Sequence, residues 1–170
     1  MSNCAIILAG GEGKRMKSNL PKPMSEVLGK PMLRWVIDSV KSAGVDDICV
    51  VKGYKKECID EFVSSLPFEV ETVYQAERLG TGHAVMMAKD FLEKHSGNVV
   101  ILNGDAPFMD AKTISDALAL HTEKGSVATV ISAKVSDPTG YGRIVRDENN
   151  NFLKIVEQKD CNEEIGRAHV

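Results

Sequence analysis

Short, unbroken apolar runs recur along this chain, and stretches of helical periodicity separate them. Residues 5–8, 48–51 and 99–102 show none of the polar alternation of a half-exposed strand, so each must be buried on both faces. Residues 70–73 and 127–133 read as two more strands. Residues 33–43 place Leu33, Val36, Ile37 and Val40 on one stripe and end at Gly44, where a helix C-cap is expected. Residues 56–66, 82–94 and 112–123 read as further helices. Doubly buried strands alternating with amphipathic helices predict an α/β fold, with a mostly parallel sheet covered by helices on both faces. The pattern then changes. Residues 141–146 and 152–157 flank Asp147-Glu148-Asn149-Asn150, which predicts a β-hairpin appended to the core.

At 170 residues the chain has room for one domain of ordinary size, and 43% apolar with 26% charged residues is a globular composition. A net charge of −3 gives no basic field for nucleic acid or an anionic membrane, so neither is expected as a partner. Any phosphate binding must come from a local arrangement of amides and a few cations. No Cys-x-x-Cys pair and no nearby histidine make a metal site of Cys4, Cys49, Cys58 or Cys161. A reduced, cytoplasmic setting fits these thiols. No charged leader precedes a cleavable apolar stretch, and no run approaches the ~20 apolar residues of a membrane span.

In open α/β sheets, ligands collect beyond the carboxyl ends of the strands, and two polar features stand at such ends. The first is Leu8-Ala9-Gly10-Gly11-Glu12-Gly13-Lys14-Arg15-Met16. Its three glycines let the backbone turn sharply, approach a ligand without Cβ interference and converge its amides on phosphate oxygens. Lys14, Arg15, Lys17 and Lys22 add positive charge. The Walker pattern is excluded by spacing and by Arg15 at its hydroxyl position; the dinucleotide fingerprint is excluded by Met16 at its third glycine. On glycine content alone, a flexible strand-to-helix turn reads equally well. The second feature is Asn103-Gly104-Asp105. A carboxylate there is placed to hold Mg²⁺ through oxygen, with substrate phosphates completing the octahedron. The plainer reading makes Asp105 a turn residue before Pro107; the glycine loop at the neighbouring strand exit favours the metal role.

A third segment is Gln75-Ala76-Glu77-Arg78-Leu79-Gly80-Thr81-Gly82-His83-Ala84. A glutamine amide can read a pyrimidine through one donor and one acceptor, and Gly80 permits close backbone approach to a base edge. The plainer reading is a glycine-containing loop that caps the helix beginning near Gly82. His83 packs at that helix start and receives no catalytic role.

Leu-Ala-Gly-Gly-x-Gly-x-Arg-Met, followed by Leu20-Pro21-Lys22-Pro23 and Gly29-Lys30-Pro31-Met32, resembles the signature of the sugar nucleotidyltransferases, whose domain is a Rossmann-like sheet. The 75–84 segment, Asp137-Pro138-Thr139-Gly140-Tyr141-Gly142-Arg143-Ile144 and Ile155-Val156-Glu157-Gln158-Lys159-Asp160 resemble blocks of the bacterial N-acetylglucosamine-1-phosphate uridylyltransferases. They occur in that family's order and approximate spacing. The resemblance implies that Leu8, Ala9, Gly10, Gly11 and Gly13 wrap a triphosphate, that Arg15 faces the leaving pyrophosphate, and that Lys22 neutralises phosphate charge. It implies that Gln75, Gly80 and Thr81 hold the uridine and that Asn103, Gly140 and Glu157 lie on the sugar. Lys14 stands where the family has threonine, and Asn103 where it usually has leucine or an aromatic residue. Taken alone, Glu157 reads as a solvent-facing charge on an edge strand.

The implied reaction joins UTP to a sugar 1-phosphate with Mg²⁺ on Asp105, and Arg15, Lys22 and Asp105 carry it. Transfer to another base or sugar, or a silent nucleotide-sensing module on the same scaffold, are the alternatives. Relatives continue well past Asp160. Residues 1–160 are therefore expected to be a nucleotidyltransferase domain incomplete at its C-terminal end, and residues 161–170 a tail of uncertain origin. An incomplete sheet exposes a strand edge, which favours self-association, and such a chain is expected to turn over poorly.

Overall fold

Four of the apolar runs pair side by side as parallel strands. The computed structural model describes residues 2–13, 19–162 and 165, which divide into two units, Met1–Val127 and Ala128–Val170. In the first unit the chain runs through β1 (Cys4–Ala9), a 3-10 turn (Lys22–Met24), β2 (Glu26–Val27) and β3 (Lys30–Pro31). Then come α1 (Met32–Ser42), β4 (Asp47–Lys52), α2 (Lys56–Ser64), β5 (Glu71–Tyr74), α3 (Thr81–Met86), α4 (Lys89–Leu92), β6 (Val99–Asn103) and α5 (Ala111–Lys124). The sheet order is β5-β4-β1-β6, all parallel. From β1 the chain steps outward to β4 and β5, then returns to the other side of β1 for β6. That reversal is a topological switch point, and it opens beside the carboxyl end of β1.

The two-residue period of a strand sorts the core into two layers. Ala5, Ile7 and Ala9 pack with Leu33, Val36, Ile37 and Val40 of α1, Ile59 of α2 and Ile114 of α5. Cys4 and Ile6 point the other way, onto Cys49, Val51, Ala84, Ala88 and Phe91. Both faces of β1 are thus covered, which is why its run is unbroken. Ile6 and Ile7 are fully buried on opposite faces, and burial of such a side chain stabilises by about 1.5–3 kcal/mol. The four cysteines are unpaired thiols. Burial, with Glu71 nearby, pushes the Cys49 thiol up to about 12, so it serves as packing.

β2 and β3 form a hairpin of two-residue strands that no apolar or helical pattern in the sequence marks. Leu28 and Gly29 both adopt positive φ, 54° and 74°, the requirement of a type I′ turn. The expected helix over 82–94 is broken into α3 and α4. The Met87 amide reaches back to the His83 and Ala84 carbonyls and the Ala88 amide to Val85, which tightens the turn between them.

The expected strand over 127–133 is not present: these residues carry no strand, and Val127, Val130 and Ile131 are exposed. β-branched residues form a strand only where a ladder accepts them, and this sheet ends at β6.

In the second unit, β7 (Arg143–Arg146) and β8 (Phe152–Val156) pair antiparallel, as the pattern predicts, with a register shift between Val145 and Arg146. The Asp147 carboxylate closes the turn, accepting from the Asn149 and Asn151 amides at 2.9 and 2.8 Å and from Asn151 Nδ2 at 2.9 Å. These bonds, that of the Asn151 side chain foremost, hold its pKa below the ordinary carboxylate value. No helix among the described residues is long and apolar enough to cross a membrane.

Candidate active site

Past the last paired residues, the exits of the first unit's strands stay tied to one another. Gly10 follows β1, Gly53 follows β4 and Gly104 follows β6. The Tyr54 amide donates to the Gly10 carbonyl at 3.2 Å, and the Gly104 amide to the Leu8 carbonyl at 2.9 Å. The contacts are close enough to demand glycine at Gly53: a Cβ there would lie 2.7 Å from the Gly10 carbonyl oxygen and 2.8 Å from its Cα. Sequence reading passed over Gly53. Its signal was available, since it stands at a strand exit just as Gly10 and Gly104 do.

A cleft of about 760 Å³ opens over these ends. Leu8, Gly10, Gly11 and Gly13 line it from the glycine loop, Gln75, Gly80 and Thr81 from the loop after β5, and Asn103 and Asp105 from the exit of β6, with Lys22 beside them. Ten of the residues singled out in the sequence thus share one cavity. Ala9 does not line it; its side chain is fully buried in the core. Arg15, with Lys14 and Lys17, lies outside the described residues.

Lys22 is held from both sides. It lies between Pro21 and Pro23, both buried, in a 3-10 turn closed by the Met24 amide on the Pro21 carbonyl at 2.8 Å. Gly13 presses on it: with φ +64°, a Cβ at Gly13 would come within 2.7 Å of Lys22 Cβ. The Lys22 ammonium meets Asp105 Oδ2 at 2.6 Å, each side chain about one-third exposed. An ion pair this open is worth about 0–1 kcal/mol, little enough for a phosphate and a cation to take the two partners over. Among the described residues no cluster of three or more His, Cys, Asp or Glu side chains could cage a metal. A single carboxylate at the cleft suits an ion that takes the rest of its ligands from substrate and water, as Mg²⁺ does.

One wall of the cleft is organised around Gln75, only 6% exposed. Its amide nitrogen donates to the Gly80 carbonyl at 3.1 Å and meets His83 Nδ1 at 3.0 Å. The amide nitrogen thus has protein partners on two sides, while Oε1 lies towards Gly10. Gly80, at φ +101°, makes the bend that returns its carbonyl to Gln75. Arg78 Nη1 donates to Glu12 Oε2 at 2.8 Å and ties this loop to the glycine loop. Neither Arg78 nor Glu12 was singled out from the sequence.

Gly140 and Glu157 lie in the second unit. The Gly140 amide donates to Gln158 Oε1, and the exposed Glu157 reaches past Gly142. The two therefore share one end of the β7–β8 hairpin.

Comparison with known proteins follows the same lines. The chain is 46% identical over 164 residues to the bifunctional protein GlmU of Thermoanaerobacter pseudethanolicus, 48% to that of Clostridium botulinum strain Loch Maree and 49% to that of Clostridium beijerinckii. Each alignment covers 96% of this chain and 35% of the relative, so the chain spans about a third of the length of these proteins. The family model for nucleotidyl transferases matches residues 4–161, from the first residue of β1 to just past β8, and the chain belongs to that family.

Proposed function

We propose that this chain carries the nucleotide-binding and catalytic part of a uridylyltransferase that converts UTP and N-acetylglucosamine 1-phosphate to UDP-N-acetylglucosamine and pyrophosphate. The observation that carries the reading is the convergence of the glycine loop, Lys22 and Asp105 on one cleft at the sheet's switch point. The likeness to bifunctional GlmU proteins supports the choice of nucleotide and sugar.

The attacking group is already an anion, so no protein nucleophile is required. A phosphate oxygen of the sugar 1-phosphate forms a bond to the α-phosphorus of UTP while the bond from that phosphorus to the bridging oxygen breaks, and pyrophosphate departs in line. The protein aligns the two phosphates and neutralises charge. The amides of Gly10, Gly11 and Gly13 cradle the triphosphate, and Lys22 leaves Asp105 to meet it. Arg15 faces the departing pyrophosphate. A Mg²⁺ ion held by Asp105 and the substrate phosphates would add further charge neutralisation. Gln75, Gly80 and Thr81 hold the uridine. The family resemblance assigns sugar contacts to Asn103 in the first unit and to Gly140 and Glu157 in the second, where sugar hydroxyls can donate to the Glu157 carboxylate. The family match crosses both units, which supports one nucleotidyltransferase domain spanning them. A cytoplasmic setting fits the four unpaired thiols.

The test is a matrix of MgUTP, MgCTP, MgdTTP, MgGTP and MgATP against N-acetylglucosamine 1-phosphate and glucose 1-phosphate. Calorimetry reads binding and pyrophosphate release reads turnover. The proposal expects MgUTP to bind and N-acetylglucosamine 1-phosphate to be the preferred acceptor. A preference for a purine nucleotide rejects it.

A further inference from the structure

His83 is a half-buried side chain on α3 that phosphoryl chemistry leaves unused, yet it faces the most buried polar side chain of the cleft. We propose that His83 is a positioning residue for nucleotide selection: with the Gly80 carbonyl it engages both N–H groups of the Gln75 amide, so that the cleft is offered only the Oε1 acceptor. The inference rests on the uridylyl reading above.

The orientation of the amide follows from its neighbours. The Gly80 carbonyl can only accept, so the group 3.1 Å from it must be the amide nitrogen. His83 Nδ1, 3.0 Å from the same nitrogen, is placed to accept the second N–H. A flipped amide would set Oε1 against the Gly80 carbonyl oxygen, two acceptors facing each other in a buried place. Gly80 is held in turn, because its carbonyl also accepts the Ala84 amide at 3.1 Å. With the Gly80 carbonyl consumed twice, the loop has its Gly80 N–H left to give.

A wall that presents an acceptor selects for a base with an N–H at the facing position. Uracil and thymine carry N3–H; cytosine carries a lone pair at N3. Without His83 one amide hydrogen loses its partner, the amide is free to turn, and a donor can face the base instead. Loss of His83 should therefore erode discrimination against cytosine and leave discrimination between uracil and thymine unchanged, because those two share the N3–H edge.

The experiment measures dissociation constants of MgUTP, MgCTP and MgdTTP by calorimetry for the wild-type chain, His83→Ala and His83→Asn. The Asn Oδ1 can stand near the place of Nδ1. We expect the UTP-over-CTP preference to fall about tenfold in His83→Ala, the scale of one buried hydrogen bond, to persist in His83→Asn, and the UTP-over-dTTP ratio to stay constant in both. If His83→Ala does not fold, His83→Leu, which keeps bulk and lacks an acceptor, carries the same comparison. An unchanged UTP-over-CTP ratio in a folded variant overturns the role of His83. A wild-type chain with no preference for UTP over CTP overturns instead the uridylyl reading beneath it.

Discussion

Lys22 reaches Asp105 because its neighbours leave it little choice: Pro21 and Pro23 are buried on either side and Gly13 packs against its Cβ. A cation held this way costs little further ordering when phosphate arrives. The ion pair with Asp105 keeps both groups in the cleft without binding them tightly, since its strength is of the order of 1 kcal/mol or less. Lys22→Ala or Asp105→Ala is predicted to lower kcat at least ~100-fold with little change in melting temperature, the scale of removing one electrostatic contact to a transition state. Near-normal turnover in either variant would remove that residue from the mechanism. Asp105 was legible in the sequence from its place at a strand exit, whereas Lys22 and Gln75 were singled out through the family resemblance of their segments. His83 was not, because its partner lies eight residues away and meets it only once the loop has folded back at Gly80.

At the scale of elements, the strand exits and helix caps set the site's shape. Gly53 is predicted to be intolerant of substitution, since a Cβ would collide with the backbone of Gly10 rather than with a yielding side chain. Gly53→Ala should cost about 1–3 kcal/mol in stability and weaken nucleotide binding through the displaced glycine loop. Gly11→Ala, with nothing within 4 Å of its Cβ position, should leave the melting temperature near wild type. α5 depends on Asp110, whose carboxylate caps it by accepting the Thr113 amide at 2.7 Å. That bond holds the Asp110 pKa below its ordinary value. A depressed carboxylate stabilises the fold above its unfolded pKa and ceases to as the pH falls through the native one. Asp110→Ala should therefore melt lower than wild type at neutral pH. The gap should close as the pH falls through and below about 3.9, and a gap independent of pH would contradict the cap.

Across the whole molecule, the alternation of apolar runs and helical stripes was enough to foresee the parallel sheet, both helical layers and the appended hairpin. Each of those rests on a local periodicity. The failures have a common cause in tertiary context. Residues 127–133 have the composition of a strand but no ladder to join at the sheet's end, and residues 82–94 have a helical stripe that a tight turn at Met87 and Ala88 divides. The exits of β1 and β6 lie side by side only because the chain reverses direction across β1, an arrangement no local pattern encodes. Those two exits are expected to hold the same triphosphate. A crystal of the chain with UTP and Mg²⁺ tests this directly. The predicted result places the phosphates against Gly10 and Gly13, the metal on Asp105 and the uracil beside Gln75. A nucleotide bound with its phosphates away from both Gly13 and Asp105 would contradict it.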